Sequence, residues 1–432
     1  MTQRYDTYKD SGVQWLGEIP GHWECTSLGR VLYEKLQYGA SESGDLEYTN
    51  DSMRYIRITD ITLDGKLKKD CCKYLSSEIG KNYPVRKGDV LLARSGATVG
   101  KAFIYNEDNE ACYAGYLIKA SIQQDKVFPT FFFYFTQTSQ YDEWKNRIFI
   151  QATIQNISAE KYTRMKLCIP PLSEQHSIVS FLDAKCGKID EWVTKKQKEL
   201  EHLQELKQRV IADAVTRGLN PHVKMKATNI HWLKEIPEHW EALRAKHMFN
   251  KEQRPVEEGD EIVTCFRDGE VTLRKNRRTT GFTEATDFSH YQHICKGDLV
   301  IHQMDAFAGS AGVSDSDGMG TPVLSVCTPK SNNILNEYYA HIVRLMGKNG
   351  FILSLYRGIR ERSSDFRFDT FANLWLPVPP IEEQKQIVAH ITDKISKIDK
   401  LIANITKEIE CIKEYKQRLI SDVVTGQIKV NQ

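Results

Sequence analysis

This 432-residue sequence has no long hydrophobic run. The longest aromatic run, FFFYF at residues 131–135, is far too short to span a bilayer and predicts the buried face of a short helix. The first twelve residues, MTQRYDTYKDSG, are polar and lack the apolar core of a secretory signal. We therefore expect a soluble, cytoplasmic protein.

A charge excess of either sign is also absent. The 59 Lys and Arg residues nearly balance the 57 Asp and Glu residues, which leaves a net charge of +2. This balance argues against a globally cationic surface, although a local basic face would suffice for nucleic-acid binding. The length allows two or three domains with cores of their own.

Cysteines at metal-binding spacing are missing as well. The ten cysteines are scattered, Cys71 and Cys72 are adjacent, and no Cys-x-x-Cys pair occurs. We expect neither a disulfide framework nor a structural zinc site, and a reducing cytosol fits this cysteine usage.

Motifs of catalysis are not found. The sequence has no G-x-G-x-x-G after a strand, no N/D-P-P-Y methyltransferase tetrapeptide and no H-E-x-x-H. The segment ARSGATVGKA (residues 93–102) approaches a phosphate-binding loop, but three residues instead of four separate Gly96 from Gly100. Ala102 also stands where a magnesium-binding hydroxyl is needed. The sequence therefore does not predict an ATPase.

The sequence is duplicated. Four segments recur in the same order, 217 residues apart at the first and 209 at the others. A repeat of this length indicates a tandem duplication of a domain and a helix. The pairs are WLGEIPGHWE (15–24) with WLKEIPEHWE (232–241), KGDVLL (87–92) with KGDLVI (296–301), IPPLSEQHSIV (169–179) with VPPIEEQKQIV (378–388), and ELKQRVIADAVTRG (205–218) with EYKQRLISDVVTGQ (414–427).

Each copy combines a mixed α/β globule with a long helix. Short β-like runs such as MRYIRIT and DVLLAR mark the first globule. The helices are predicted to begin after Pro170–Pro171 and Pro379–Pro380, with Ser173 as an N-cap. We predict an α/β (α+β) multidomain fold, with globules at residues 1–170 and 221–379 and helices at 171–220 and 380–432.

The second helix carries a heptad seam of isoleucines. Val388, Ile395, Ile402 and Ile409 lie seven residues apart, and a second row begins at Ile391. The first helix keeps this register less strictly, because Lys196 and Lys207 interrupt it, and Lys416 repeats the second interruption. At 1.5 Å per residue, residues 173–216 would form a rod of about 65 Å. Neither seam can be buried alone, so we expect an intramolecular coiled coil, with homodimeric pairing as the alternative.

The segments that differ between the copies should carry what differs in function. ARSGATVGKA aligns with HQMDAFAGSAGV (residues 302–313), so a variable loop lies at a fixed place. Arg, Asn and Gln read base edges, while Lys and hydroxyls hold phosphates. The candidate DNA-binding residues are Arg94, Ser95, Thr98, Lys101, Thr153, Gln155 and Asn156 in the first copy, and Arg274, Lys275, Arg277, Arg278, Gln303, Arg360, Arg362 and Ser363 in the second.

Other prominent residues have structural interpretations. The marker residues are predicted to attach the lead-in segment to its globule, and two helix carboxylates are predicted to be surface charges and not catalytic groups. The marker residues are Trp15, Trp23, Trp232 and Trp240 with His22 and His239, and the carboxylates are Asp190 and Asp399.

These duplicated motifs resemble the specificity (S) subunit of a type I restriction–modification enzyme, over essentially the whole chain. The resemblance implies two target recognition domains, each reading one half of a split, asymmetric DNA site. It further implies an antiparallel coiled coil with pseudo-twofold symmetry that sets the spacing between the half-sites. Arg94 and Gln303 are then the candidate base readers and Lys101 a candidate phosphate contact, although acidic Asp305 stands where a cation is expected.

The resemblance also implies partners. Two methyltransferase (M) subunits would dock on the helices and bring S-adenosylmethionine, and restriction (R) subunits would bring ATP- and Mg-dependent cleavage. The chain itself would have no catalytic centre and no cofactor. Two alternatives remain open: a degenerate DNA-modifying enzyme, and a stand-alone coiled-coil adaptor with no DNA role.

Overall fold

The chain divides into two units, and the first of them joins both ends of the sequence. Unit 1 comprises residues 1–197 and 406–432, and unit 2 comprises residues 198–405. The computed structural model describes residues 3–44, 47–62, 67–68, 70, 72–96, 98–150, 155–277, 280, 288–355 and 366–430. No helix within these ranges is long and apolar enough to cross a membrane.

Unit 1 is built from short strands and helices. Its strands are β1 (Tyr8–Asp10), β2 (Glu18–Pro20), β3 (Glu24–Ser27), β4 (Gln37–Tyr38), β5 (Ser52–Ile56), β6 (Lys73–Ser76), β7 (Pro84–Val85), β8 (Val90–Ala93), β9 (Ala102–Ile104), β10 (Ala111–Tyr113), β11 (Leu117–Ala120) and β12 (Lys166–Ile169). Its helices are α1 (Ser77–Gly80), α2 (Pro129–Phe135), α3 (Ser139–Ile150) and α4 (Ala159–Arg164), and α5 (Leu172–Arg217) begins in it. Two four-stranded sheets result, β6–β5–β10–β7 and β4–β11–β8–β9, with ribbons β1–β2 and β3–β12.

Unit 2 repeats this plan with fewer strands in its sheets. Its strands are β13 (Met225–Ala227), β14 (Glu235–Pro237), β15 (Glu241–Arg244), β16 (Phe249–Glu252), β17 (Val263–Cys265), β18 (Val271–Leu273), β19 (Gln292–Ile294), β20 (Leu299–His302), β21 (Ala311–Val313), β22 (Gly318–Gly320), β23 (Leu324–Pro329) and β24 (Trp375–Val378). Its helices are α6 (Asn336–Lys348), α7 (Phe351–Ser354) and α8 (Phe368–Ala372), and α9 (Ile381–Val424) begins in it. The four-stranded sheet β16–β23–β20–β21 corresponds to β4–β11–β8–β9 of unit 1.

The elements form where apolar side chains can be buried. All four residues of β8 are buried, since this strand lies inside its sheet between β9 and β11. The aromatic run forms α2, as predicted: Pro129 occupies its first turn, and Phe131, Phe132 and Phe135 are in the core of unit 1.

Both long helices begin directly after a double proline, as predicted, but a glutamine fixes each start. The buried Gln175 side chain accepts a hydrogen bond from the Phe128 N–H (2.7 Å) and donates to the carbonyls of Lys126 (3.0 Å) and Pro170 (2.9 Å). Gln384 makes the equivalent bonds in unit 2, with Leu335, Asn333 and Pro379. These bonds tie each helix to the loop beside it.

The prediction of Ser173 as an N-cap is wrong. The helix already includes Leu172, and the Pro171 carbonyl accepts hydrogen bonds from the N–H groups of Glu174 and Gln175. Ser173 therefore lies within the first turn, where its helical backbone keeps the hydroxyl away from the N–H groups that a cap would satisfy.

The two helices pack against each other within each unit. In unit 1 the core contains Val179 and Leu182 of α5 together with Leu419 and Val423 of α9. In unit 2 it contains Ala214 and Val215 of α5 with Ile387 and Ile391 of α9. The predicted isoleucine seam is thus covered within one chain, and the coiled coil is intramolecular.

The lysines that interrupt the seam form ion pairs. In unit 1 the Lys416 Nζ lies 2.6 and 2.8 Å from the carboxylate oxygens of Asp190, and in unit 2 Lys207 contacts Asp399 at the same distances. These four residues are duplicates of one another, so each copy supplies the lysine for the other copy's aspartate. Asp190 and Asp399 are helix charges, as predicted.

The direction of packing follows from a second pair in unit 1. As α5 advances from Asp190 to Lys196, its partners on α9 move back from Lys416 to Glu408. The helices are therefore antiparallel there, as the family resemblance implies.

The tryptophan markers hold the lead-in segments, as predicted. The buried Trp23 donates from Nε1 to Glu174 (3.2 Å), and His22 Nε2 lies 2.8 Å from the same carboxylate. In unit 2 Trp240 and His239 make these contacts with Glu383, at 3.0 and 2.8 Å. Each lead-in is thus attached to the first turn of the helix that follows it.

Among the described cysteines one disulfide is present, between Cys25 of β3 and Cys168 of β12, which are directly opposed across the ribbon. No disulfide framework is present among the described cysteines, and no sequence pattern indicated this one pair, because its members are 143 residues apart. The opposed residues of unit 2 are Ala242 and Pro377, so the bond is particular to unit 1.

Candidate nucleic-acid interface

The loop at residues 94–101 joins two antiparallel strands of one sheet. It leaves β8 at Ala93 and enters β9 at Ala102, and its ends are held by hydrogen bonds from Gly100 N to the Ala93 carbonyl and from Ala93 N to the Lys101 carbonyl (both 2.8 Å). A phosphate-binding loop instead leads from a strand into a helix, whose N-terminus faces the phosphate. The strand–loop–strand order confirms that this loop is not of the ATPase type.

Arg94 is held at the start of this loop by its backbone and by an aromatic ring. Its N–H donates to the Tyr116 carbonyl (3.0 Å), and its carbonyl accepts from the Ile157 N–H (2.9 Å). The guanidinium carbon lies 4.7 Å from the centre of the Tyr38 ring. This stacking orients a planar guanidinium, the group that makes paired hydrogen bonds to guanine.

Two polar atoms at this place have no hydrogen-bond partner among the described residues. They are Arg94 Nε and Asn156 Oδ1, which are both shielded from solvent. Asn156 lies opposite Ser95 in an antiparallel bridge, so the two atoms belong to the same patch. A donor and an acceptor left unsatisfied in one patch are costly unless a further partner completes them.

The other predicted residues of unit 1 surround this patch. Lys101 and Gln155 are exposed and Thr98 is partly exposed. Ser95 therefore pairs with Asn156 in a β-bridge directly after Arg94. Thr98 and Lys101 lie on the same loop. Sequence reasoning missed the tyrosines, Tyr38 beneath the guanidinium and Tyr116, which is 66% exposed. No sequence signal pointed to these tyrosines, because their exposure beside the β8 loop is visible only in the structure.

Gln303 of unit 2 occupies the backbone position of Arg94. Its N–H donates to the Val323 carbonyl and its carbonyl accepts from the Phe366 N–H, both at 2.9 Å. Its side-chain amide, however, donates to the Ser325 hydroxyl (3.3 Å) and the Pro322 carbonyl (3.4 Å). The predicted reader of unit 2 is thus at the equivalent place, but its amide donors are used within the domain.

The basic cluster at residues 274–277 is largely neutralised by nearby acids. Lys275 pairs with Glu261, and Arg277 lies 2.7 Å from Asp268 and 2.8 Å from Glu270. These acids hold the pKa of Arg277 above its usual value, with the Asp268 hydrogen bond as the main cause. Arg274 donates from its backbone N–H to the Ile262 carbonyl (2.7 Å). The cluster therefore has less net charge to offer a phosphate backbone than its sequence indicates.

Arg267, which sequence reasoning missed, supplies a cation to the unit 2 loop. It is 68% exposed at its side chain and pairs with Asp305 (2.8 Å), the acid that follows Gln303 by two residues. The unexpected acidic residue of this loop is therefore matched by an arginine from the neighbouring β17–β18 turn. The arginine lies 38 residues away in sequence, so no local pattern pointed to it.

Helix α6 places further basic side chains beneath this loop. Burial lowers the pKa of Arg344 and of Lys348, and it lowers the pKa of His341 to about 4. Lys348 packs against Gly309 at the end of the loop. His341 is thus neutral at pH 7, while the other two keep a charge that burial disfavours.

Five predicted DNA-binding residues lie outside the described residues. They are Thr153, Arg278, Arg360, Arg362 and Ser363.

The chain is similar to a family of DNA specificity domains and to named specificity subunits. Residues 23–202 and 277–411 match the family described as the type I restriction modification DNA specificity domain. Its relatives include the EcoBI specificity subunit of Escherichia coli (22% identical; 90% of this chain and 83% of that protein) and the MjaVIII specificity subunit of Methanocaldococcus jannaschii (22% identical; 95% and 94%). Similar folds occur in a chain of a type I R-M system solved for complex assembly and conformational transition (TM-score 0.69, 15% identical, 94% and 98% covered). The HsdS subunit from Thermoanaerobacter tengcongensis is also similar (TM-score 0.52, 16% identical, 95% and 98% covered).

Proposed function

The chain belongs to the family of type I restriction modification DNA specificity domains, and we propose that it is the non-catalytic DNA-reading subunit of a restriction–modification complex. One observation supports this proposal above the others. A single backbone position, held by the same pair of hydrogen bonds, carries Arg94 in unit 1 and Gln303 in unit 2. A fixed frame with exchanged side chains suits two domains that read two different half-sites.

In unit 1, Arg94 is the proposed base reader. The ring of Tyr38 fixes its plane, and Nε is left for a further acceptor. The unsatisfied Asn156 oxygen would accept from an exocyclic amino group of a base, while Lys101 and Thr98 would hold phosphates. Both atoms are shielded in the free chain, so the two side chains would turn outward for DNA to satisfy them.

In unit 2, the proposed contact surface is the loop after β20 with the β17–β18 turn. Gln303 would exchange its weak internal bonds, 3.3 and 3.4 Å, for bonds to a base edge. Arg267 would exchange its exposed ion pair with Asp305 for a phosphate, because such pairs contribute little in water.

The partners of the chain are part of the same proposal. Two M subunits would dock on α5 and α9 and supply S-adenosylmethionine chemistry, and R subunits would supply ATP- and Mg-dependent cleavage. The coiled coil would set the distance between the half-sites. In favour of this division, the sequence has no N/D-P-P-Y methyltransferase tetrapeptide, and the relatives it matches are named specificity subunits.

The test is genome-wide methylation mapping by long-read sequencing in cells that express this chain with and without its M subunits. We expect a split, asymmetric methylated motif only when both are present. Binding of the assembled complex to the mapped duplex and to a shuffled duplex is then measured at physiological salt. Equal binding to both duplexes would contradict the proposal and would favour the coiled-coil adaptor. Methyl transfer by the chain alone would favour the enzyme alternative.

A further inference from the structure

Three side chains with metal-binding atoms converge in unit 2, and none of them belongs to the β20 loop. They are His293 on β19, Cys295 in the turn that follows, and Asp317 directly before β22. One ring nitrogen, the thiol sulfur and one carboxylate oxygen lie within 4.8 Å of one another. A tetrahedral zinc ion holds its ligand atoms roughly 3–4 Å apart, so only a small movement of the exposed Asp317 would close the set.

Two of these side chains, His293 and Asp317, are already oriented by a second contact. His293 Nδ1 lies 2.9 and 3.1 Å from the two oxygens of Asp260, which leaves Nε2 as the nitrogen that can bind a metal ion. The side chains of His293 and Asp260 are each only 8% exposed. A carboxylate behind a histidine is the usual arrangement at zinc sites, since it fixes the ring and raises the basicity of the free nitrogen. One oxygen of Asp317 accepts the Lys296 N–H (2.8 Å), so the other is left for a ligand.

A fourth donor is within reach. Glu257 Oε1 lies 4.0 Å from His293 Nε2, and its backbone N–H donates to Asp260 (2.9 Å). The carboxylates of Asp298, Asp317 and Glu257 and the guanidinium of Arg254 act electrostatically on the Cys295 thiol. Arg254 is itself paired with Asp298 at 2.5 Å. The thiol is therefore surrounded by negative charge that a divalent cation would offset.

We propose that His293, Cys295, Asp317 and Glu257 bind one zinc ion in unit 2. The mixed nitrogen, sulfur and oxygen set suits zinc better than magnesium or calcium, which prefer oxygen alone. The Cys295 thiol gives up its proton to solvent on binding. The ion joins the β19–β22 pair to the turn before β20, the strand that ends at the loop of Gln303.

Unit 1 cannot form the same site. The residues at the register positions of His293 and Cys295 are Pro84 and Arg86, since β7 pairs with β10 as β19 pairs with β22. The site is therefore particular to unit 2. It escaped the sequence analysis, which predicted no metal site, because its donors do not follow Cys-x-x-Cys spacing.

The experiment measures zinc bound to the purified full chain, in complex with its M subunits if these are needed for solubility, after dialysis against metal-free buffer. We expect about one zinc per chain, lost in Cys295→Ser and in Asp317→Asn. The matched controls are Cys411→Ser, an exposed cysteine on α9, and Asp315→Asn, two residues before Asp317; both should keep the ion. Asp317 is exposed, so its variant tests the site without disturbing the core.

Cobalt substitution adds a readout of the ligands. Co²⁺ in this site should give a sulfur-to-metal absorption band that disappears in Cys295→Ser and persists in Cys411→Ser. Asp260→Asn should weaken zinc binding about 10–100-fold, because Asp260 positions the histidine and does not bind the ion. Zinc content that is zero in the parent chain, or equal in the parent and Cys295→Ser, would overturn the proposal. Neither outcome depends on whether the chain reads DNA.

Discussion

At the residue scale, Arg94 and Gln303 share a backbone position but differ in what their side chains have left to offer. Arg94 keeps an unpartnered Nε within the described part of the chain, whereas both amide contacts of Gln303 are internal. A partner that satisfies Arg94 gains a hydrogen bond without breaking one. A partner of Gln303 must first replace two long bonds, so we expect unit 1 to discriminate more strongly than unit 2 at this position.

Replacing Arg94 with Ala should remove one base contact. We expect a loss of about 1–3 kcal/mol on the mapped site and relaxed specificity at one base pair, measured by fluorescence anisotropy with the M-subunit complex. The control is Lys101→Ala on the same loop, which should weaken all sequences alike and reduce the salt dependence by about one phosphate contact. A uniform loss in Arg94→Ala would show that this arginine holds a phosphate.

His341 should make unit 2 sensitive to acid. Burial and, to a smaller extent, the charge of Arg344 together lower its folded-state pKa from 6.5 to about 4. Between these pH values the unfolded chain binds a proton that the folded chain does not, so stability is complete above pH 6.5 and falls as the pH drops to 4, by about 3 kcal/mol in all. Urea unfolding of the parent chain and of His341→Gln at pH 7.5 and pH 5 checks this. The variant should lose less stability on acidification, and equal losses would contradict the assignment.

At the element scale, helices could be predicted where apolar residues recur at regular intervals, where an aromatic run occurs, or where prolines mark a helix start. The isoleucine rows, the double prolines and the FFFYF run each predicted a helix that the structure contains. What failed needed contacts between distant residues. Ser173 looked like a cap, but Gln175 ties the start of the helix to a loop 47 residues earlier. The pairing of Lys275, a predicted phosphate ligand, with Glu261 of the same domain also had no local sequence signal.

The buried glutamines therefore give an element-scale prediction. Gln175→Leu should leave the Phe128 N–H and two carbonyls without partners and destabilise unit 1 by about 1–3 kcal/mol for each group that water cannot reach. Gln384→Leu should do the same in unit 2. Thermal unfolding measures both, and Gln197→Leu, on the outer part of α5, is the control that should change little. A neutral Gln175→Leu would mean that the proline-defined start suffices.

At the scale of the whole molecule, the duplication makes each unit depend on both long helices. Unit 1 takes the beginning of α5 and the end of α9, and unit 2 takes the remaining parts. The lead-in of unit 1 touches the residues just after α9, where Tyr8 donates to the Gly426 carbonyl (2.9 Å) and Gln427 donates to the Glu18 carbonyl (3.0 Å). No linear segment of the sequence therefore contains the complete core of unit 1.

Deleting residues 419–432 should loosen unit 1 selectively. The deletion removes four buried aliphatic residues from its core, each worth about 1.5–3 kcal/mol. They are Leu419, Ile420, Val423 and Val424. Hydrogen exchange should accelerate around Trp23, while the equivalent segment around Trp240 serves as the internal control. Equal acceleration in both segments would show that the units do not unfold separately.

The two sequence segments that meet in unit 1 also fix the order in which the two cores can be completed during translation. Unit 2 is one uninterrupted segment, so its core can close once residue 405 has left the exit tunnel. Unit 1 is translated first, yet its core lacks the last turns of α9 until residues 198–405 of unit 2 have been translated. Its lead-in strands and Trp23 therefore lack the α9 part of their core, and stay accessible to chaperones and proteases, throughout the translation of unit 2. The core of unit 1, whose translation starts first, is therefore completed after the core of unit 2.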